Sequence, residues 1–304
     1  MNTRDAHPAL EVLTRTPAHL KRKTPLLFIH GAFTGAWCWD EHFLPFFAEA
    51  GYAAHALSLS GHGSSRDRGK LDMLSISDYV DDVREIAQQL SAHPVLIGHS
   101  MGGFIVQKYL EQYDAPAAVL MCPVPPQGML GAAFNVLFSR PGLLRDLNAM
   151  MSGGKASHES LREALFAQEV RQEDLKRYYR LSQPESHRAM WDMTLFNLPG
   201  VAKILQHLQS SEVSQNSHPL SRKGGWGDSP SNAPTPEPEG AQARLLVLGA
   251  EHDHLMPASS AQMTARAYGV EAEIFPGMGH GLMLERDWRI VAARILAWLE
   301  ERKL

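Results

Sequence analysis

Val95-Leu96-Ile97-Gly98-His99-Ser100-Met101-Gly102-Gly103 is the stretch from which the rest of the chain can be read. It begins as a short apolar run of the kind that forms a strand buried on both faces, and Phe104 to Leu110 continues as a helix can. Between the two, Ser100 is bracketed by glycines in the pattern G-x-S-x-G. The glycines have a steric reason. A strand that passes directly into a helix leaves no room for bulk beside the turn, and the serine is held in a strained backbone conformation. Such a turn pushes the Ser100 hydroxyl out at the carboxyl end of its strand. It also puts the N–H of Met101 at a helix N-terminus, where it can face an anion.

Working outward, Pro25 to His30 is a second apolar run, and it ends in His30-Gly31-Ala32-Phe33-Thr34-Gly35-Ala36-Trp37-Cys38-Trp39. The backbone N–H groups of this His-Gly turn can face the tip of the Ser100 strand. Trp37 and Trp39 read as core. Ala53 to Leu59 is a further strand, followed by the turn Ser60-Gly61-His62-Gly63-Ser64-Ser65, in which His62 reads as structural. Ile76 to Leu90 has helical spacing, with Ser77 as N-cap. Ala117 to Cys122, Arg244 to Gly249 and Ala272 to Phe275 are strands; Ala258 to Tyr268 and Glu285 to Leu299 are helices. A short strand is expected near Leu10 to Leu13. Strands alternating with helices predict an α/β fold: a mostly parallel sheet with helices on both faces and reactive groups at the carboxyl ends of its strands.

Two stretches break the alternation. From 123 to 199 the chain is amphipathic and rich in Leu, Phe and Met (Met129, Met150, Met151, Met190, Met193), with no convincing strand, and reads as an inserted helical cap. Residues 209 to 241 are Ser, Pro, Gly and Glu with few apolar anchors, and read as a disordered loop. The core is then 1–122 with 200–304. At 304 residues, 44% hydrophobic and 20% charged, the composition is that of an ordinary globular protein. A net charge of -4 provides no field for nucleic acid. Two cysteines, Cys38 and Cys122, make no disulfide framework and suit a reducing cytoplasm. No signal peptide or membrane-spanning run is expected.

A serine hydroxyl is a weak nucleophile that needs a base, and the base needs a carboxylate to fix its tautomer. Ser100, Asp253 and His280 follow one another along the chain in the order serine, acid, histidine, each just past a strand. With Gly279-His280-Gly281 and Gly249-Ala250-Glu251-His252-Asp253, the chain resembles the α/β-hydrolase superfamily. That resemblance implies a catalytic triad of Ser100, His280 and Asp253, and no cofactor. The His30–Trp39 turn is similar, more narrowly, to the plant methylesterase and hydroxynitrile lyase branch, which implies an oxyanion hole from the N–H groups of Ala32 and Met101. The long loop and the larger cap depart from that branch, so its substrates do not carry over. Serine at the elbow argues against the epoxide hydrolase and haloalkane dehalogenase branches, which use a carboxylate nucleophile.

Glu251 is the competing acid, two residues early, and His252 and His254 imitate a metal pair without a third ligand; no metal is assigned. The expected partner is a small neutral ester, thioester or lactone, touched by Phe33, Met129 and Trp191. The same triad could serve carbon–carbon bond hydrolysis, cyanohydrin cleavage or acyl transfer, and a ligand receptor on a retained scaffold is the non-enzymatic alternative. The sequence leaves the oligomeric state open.

Overall fold

The apolar runs become strands because their side chains are wanted on both sides. In the computed structural model, which describes residues 9–131, 157–215 and 244–304 with isolated positions between 142 and 154, the strands are β1 (Glu11–Arg15), β2 (Leu26–Ile29), β3 (Ala54–Ser58), β4 (Val95–His99), β5 (Ala118–Met121), β6 (Leu245–Ala250) and β7 (Ala272–Phe275). Leu26 and Phe28 join one hydrophobic cluster, Leu27 and Ile29 the other. Val95 and Ile97 are likewise divided from Leu96. With both faces covered, an unbroken apolar run is the stable pattern.

The sheet order is β1-β3-β2-β4-β5-β6-β7. β1 runs antiparallel to β3, and every other pairing is parallel. On one face pack α1 (Trp37–Asp40), α2 (Phe43–Ala50) and the C-terminal helix Trp288–Glu301, contributing Trp39, Phe43, Phe47, Ile295 and Trp298. On the other pack α3 (Ile76–Gln89), α4 (Met101–Leu110) and the helix Ala258–Ala267. Trp39 is buried as expected, while Trp37 is partly exposed and stacks on Tyr178 at 5.5 Å.

One expected cap moves. Helix α3 is capped by Ser75, not Ser77: Ser75 Oγ accepts from Asp78 N at 3.2 Å, and Asp78 Oδ2 accepts from Ser75 N at 2.8 Å. Asp78 stands three residues after Ser75, the spacing a capping box needs. Ser77 lies inside the first turn and accepts a hydrogen bond from Asn197 Nδ2. The C-terminal helix begins at Trp288 instead of Glu285, because Glu285 turns inward to other partners.

Between β5 and β6 the described residues form α5 (His158–Leu165), α6 (Gln172–Leu181), α7 (His187–Trp191) and α8 (Val201–Gln215), and no strand. The α8 helix runs into the stretch read from composition as a loop; the rest of that stretch, 216–241, lies outside the described residues, as does Met150.

A buried ion pair ties this helical segment to the sheet. His62 Nε2 donates to Glu185 Oε2 at 3.0 Å, and His62 Nδ1 donates to Ser60 O at 3.0 Å. Both ring nitrogens face acceptors, so both carry protons and the ring is an imidazolium. Burial opposes that charge, but the Glu185 carboxylate outweighs it and raises the His62 pKa. Burial also opposes the Glu185 charge, and His62 outweighs it to lower that carboxyl. Tyr79 OH and Ser186 N complete the carboxylate, each at 2.8 Å. His30, 4.9 Å from His62, is driven down to about 3 by burial and by the neighbouring charge, and stays neutral. His62 is therefore structural, as its sequence suggests.

Removing one partner of a fully buried pair strands the other, so Glu185→Gln should cost about 3–5 kcal/mol in denaturant unfolding. The histidine contribution is complete below its ordinary value near 6.5 and is lost as pH rises through the raised folded value. The glutamate contribution is present above about 4.5 and is lost as pH falls through the lowered one. Stability of the wild type should therefore fall on the alkaline side in a way that Glu185→Gln does not. Equal pH profiles for the two proteins would remove the ion pair as an anchor.

Candidate active site

Ser100 follows the last residue of β4 with φ 55° and ψ −115°, a backbone conformation strained for any residue but glycine. Strand pairing fixes it there. Ser100 N donates to Met121 O at 2.9 Å, and Ser100 O accepts from Val124 N at 3.3 Å and Phe104 N at 3.2 Å. The glycines permit the approach. A Cβ on Gly98 would stand 2.4 Å from Gly102 O, and one on Gly102 would stand 2.3 Å from Ile29 O. The start of α4 is thereby pressed against the end of β2. The His-Gly turn is equally close, since a Cβ on Gly31 would be 3.1 Å from Ser100 Cβ. Ala32 and Phe33 continue that turn, Phe33 with φ 65° and its carbonyl accepting from Gln183 N. Met101 N lies in the first turn of α4, where N–H groups have no intrahelical acceptor.

The turns after β6 and β7 bring Asp253 and His280 together. His280 Nδ1 donates to Asp253 Oδ2 at 2.6 Å, and both residues are buried. Asp253 Oδ1 accepts from Leu255 N at 2.9 Å and Met256 N at 2.7 Å, which leaves the carboxylate little freedom to turn. The Nδ1–H tautomer frees Nε2 of His280 as a proton acceptor. Glu251 does not reach this pair: its Oε2 accepts from Gly277 N at 2.8 Å and braces the turn before His280.

The model of the alpha/beta hydrolase family matches residues 26–294. The chain belongs to that family. It is 35% identical over 102 residues to methyl jasmonate esterase 1 of Vitis vinifera, covering 33% of this chain and 38% of that one. It is 24% identical over 269 residues to a monoacylglycerol lipase of Mycolicibacterium smegmatis, covering 85% and 82%. An esterase structure from Exiguobacterium antarcticum superposes with a TM-score of 0.65 at 16% identity, over 96% of this chain and 95% of that one, and shows the shared fold. The chain spans little more than a third of the length of the curated relatives it matches first.

Three further residues shape this hydrolase-fold site and were not singled out from the sequence. The His99 ring lies tilted against that of His280, centroids 4.6 Å apart, and donates from Nε2 to His280 O at 2.9 Å, so its Nδ1 carries no proton. Burial, reinforced by the adjacent His280, holds its pKa well below the usual histidine range. The ring is therefore a neutral brace. Cys122, just past β5, lies against Asp253; burial, then the carboxylate, push its thiol up and keep it protonated. Its signal was indirect: Met121 pairs with His99, so the next residue must emerge beside the elbow. Glu285 accepts from Gly279 N beside the histidine.

Cys122, Asp253 and His280 are the one group of three metal-type ligands among the described residues, their donor atoms within 4.8 Å of one another. The carboxylate is already shared by an imidazole and two backbone N–H groups, so the donor set fits a hydrogen-bonded dyad better than a metal. His252 is exposed and His254 partly so. Met129 and Trp191 line one groove of about 550 Å³ with Leu130, Met151, His187, Met190 and Thr194, and neither Phe33 nor Ser100 nor His280 is part of its wall. No helix among the described residues is long and apolar enough to cross a membrane.

Gly102→Ala should destabilise by at least the ~1–3 kcal/mol usual for overpacking, since backbone and not a flexible side chain stands in the way. The measurement is the denaturant midpoint, and an unchanged value would mean that the elbow has slack.

Proposed function

We propose that the protein is a serine hydrolase that cleaves carboxylic esters, thioesters or lactones through an acyl-enzyme on Ser100. The observations that support this are the buried 2.6 Å bond from His280 Nδ1 to Asp253 and, separately, the positive φ at which Ser100 is held on its elbow. His280 Nε2 takes the Ser100 proton as the hydroxyl attacks the carbonyl. The N–H groups of Ala32 and Met101 hold the oxyanion. Asp253 stabilises the imidazolium that forms, and the neutral state of His99 keeps a second cation away from it. His280 then gives the proton to the leaving alcohol and activates water for deacylation. Relatives named esterase and lipase support an ester as the bond broken. The buried free thiols Cys38 and Cys122 suit a reducing compartment.

The helical segment between β5 and β6 acts as a cap over Ser100, because the chain leaving β5 bonds Ser100 O through Val124 N just before it enters that segment. The groove at Met129 and Trp191 offers methionine and aromatic surface, which accommodates varied alkyl or aryl groups.

Ser100→Ala and His280→Ala should each cut ester turnover by about 10⁴–10⁶, and the double variant little further, because the members act as a unit. Near-wild-type activity in either single variant would end the triad reading. Asp253→Asn should be far more damaging than Glu251→Gln, which only loosens the Gly277 turn; the reverse order would reassign the acid.

Across esters of increasing acyl length, neutral short-to-medium substrates should show higher kcat/KM than a carboxylate-bearing one. A preference for the charged ester would exclude an apolar pocket.

A further inference from the structure

The loop that carries His280 is bound to the helical segment by hydrogen bonds that the proposed chemistry does not use. Gly279 N and Ala167 N both donate to Glu285 Oε1 at 2.7 Å, and Gln168 N donates to Oε2 at 3.2 Å. Gly281 N donates to Leu165 O at 2.7 Å. Gln168 Nε2 donates to Asp287 Oδ2 at 2.9 Å, and Asp287 N returns a bond to Gln168 Oε1 at 3.0 Å. A Cβ on Gly279 would lie 2.7 Å from Ala167 N and 3.0 Å from Glu285 Oε1, so a side chain there would part the segments.

Glu285 is 1% exposed and forms no ion pair among the described residues. A buried carboxylate is costly unless its oxygens are satisfied. Here backbone N–H groups from two separate segments satisfy it, one from the histidine loop and two from residues 167 and 168. His280 is thus fixed from three directions: Asp253 holds its ring, His99 holds its carbonyl, and Glu285 holds the residue before it. Glu285 is the one of these three that also grips the helical segment.

We propose that Glu285 is a positioning residue for His280, and that it makes the placement of the imidazole depend on docking of residues 165–168. The proposal rests on the reading of Ser100, His280 and Asp253 as a triad. Its physical content is that a base displaced by about 1 Å loses on the order of 10² in rate, while a pocket formed elsewhere still binds substrate. The carboxylate is needed because both its oxygens accept. An amide would turn one acceptor into a donor pointed at an N–H.

The test uses the full-length protein. Glu285→Gln should lower kcat by about 10²-fold with KM little changed. Labelling of Ser100 by a fluorophosphonate should slow in parallel, because labelling also needs the base in place. Glu285→Asp, which keeps the charge on a shorter stem, should recover part of both rates. Gln168→Ala removes only the side-chain link to Asp287 and should give a smaller loss of the same kind, and it remains informative if Glu285→Gln does not fold. Wild-type kcat in Glu285→Gln, or a change confined to KM, would overturn the proposal. Should Glu285→Gln not fold, wild-type kcat and labelling in Gln168→Ala would overturn it instead. Ser100→Ala tests the underlying reading separately: turnover retained there would sink the triad itself, whatever the Glu285 variants do.

Discussion

The positive φ of Ser100 is the constraint on which the rest of the site depends. A non-glycine residue in such a conformation costs about 1–3 kcal/mol and persists only where its surroundings over-determine it. Here they do. Parallel pairing of β4 with β2 and β5 fixes the strand before the serine, hydrogen bonds from Phe104 and Val124 hold its carbonyl, and glycines at 98 and 102 let backbone meet backbone. Both faces of the sheet are buried beneath it, so the strand ends cannot yield independently. The strain leaves the hydroxyl of Ser100 presented at the end of the strand, where a helix N-terminus and the His-Gly turn converge.

Asp253, Glu185 and Glu285, three of the buried carboxylates among the described residues, are each satisfied in a different manner. Asp253 shares its oxygens between His280 and two backbone N–H groups. Glu185 takes a histidinium, a tyrosine hydroxyl and its neighbour's N–H. Glu285 is held by backbone N–H groups alone. The differences set their uses. An acid facing one imidazole orients a base, a closed ion pair anchors one layer to another, and a carboxylate shared by two segments makes the position of one follow the other. Two of the three connect the helical segment to the sheet, so that segment is attached at the turn after β3 as well as beside the histidine.

The family, the sheet and the pairing of Asp253 with His280 were legible in the sequence because each has a local signature. Continuous apolar runs announce strands buried on both faces, G-x-S-x-G announces a turn without room for side chains, and the chain order of serine, acid and histidine follows from where strand ends fall in a parallel sheet. Position favoured Asp253 over Glu251 as the partner of His280, and in the structure Asp253 bonds His280 while Glu251 accepts from Gly277 N. Misplacing the α3 cap at Ser77 was a local error of two residues, correctable from Asp78 by the capping-box spacing.

What tertiary structure decided is the set of partners that lie far apart along the chain. Nothing near Glu185 marks it as the counter-ion of His62, and nothing near Glu285 shows that it gathers N–H groups from 167, 168 and 279. Cys122 meets Asp253 only because β5 and β6 are neighbours in the sheet. The physical reason is the same in each case. Strand and elbow propensities are set by steric and solvation effects within a few residues, and the sequence determines them unaided. Which buried charge is satisfied by which distant donor depends on how layers pack, and that exists only once the chain has folded.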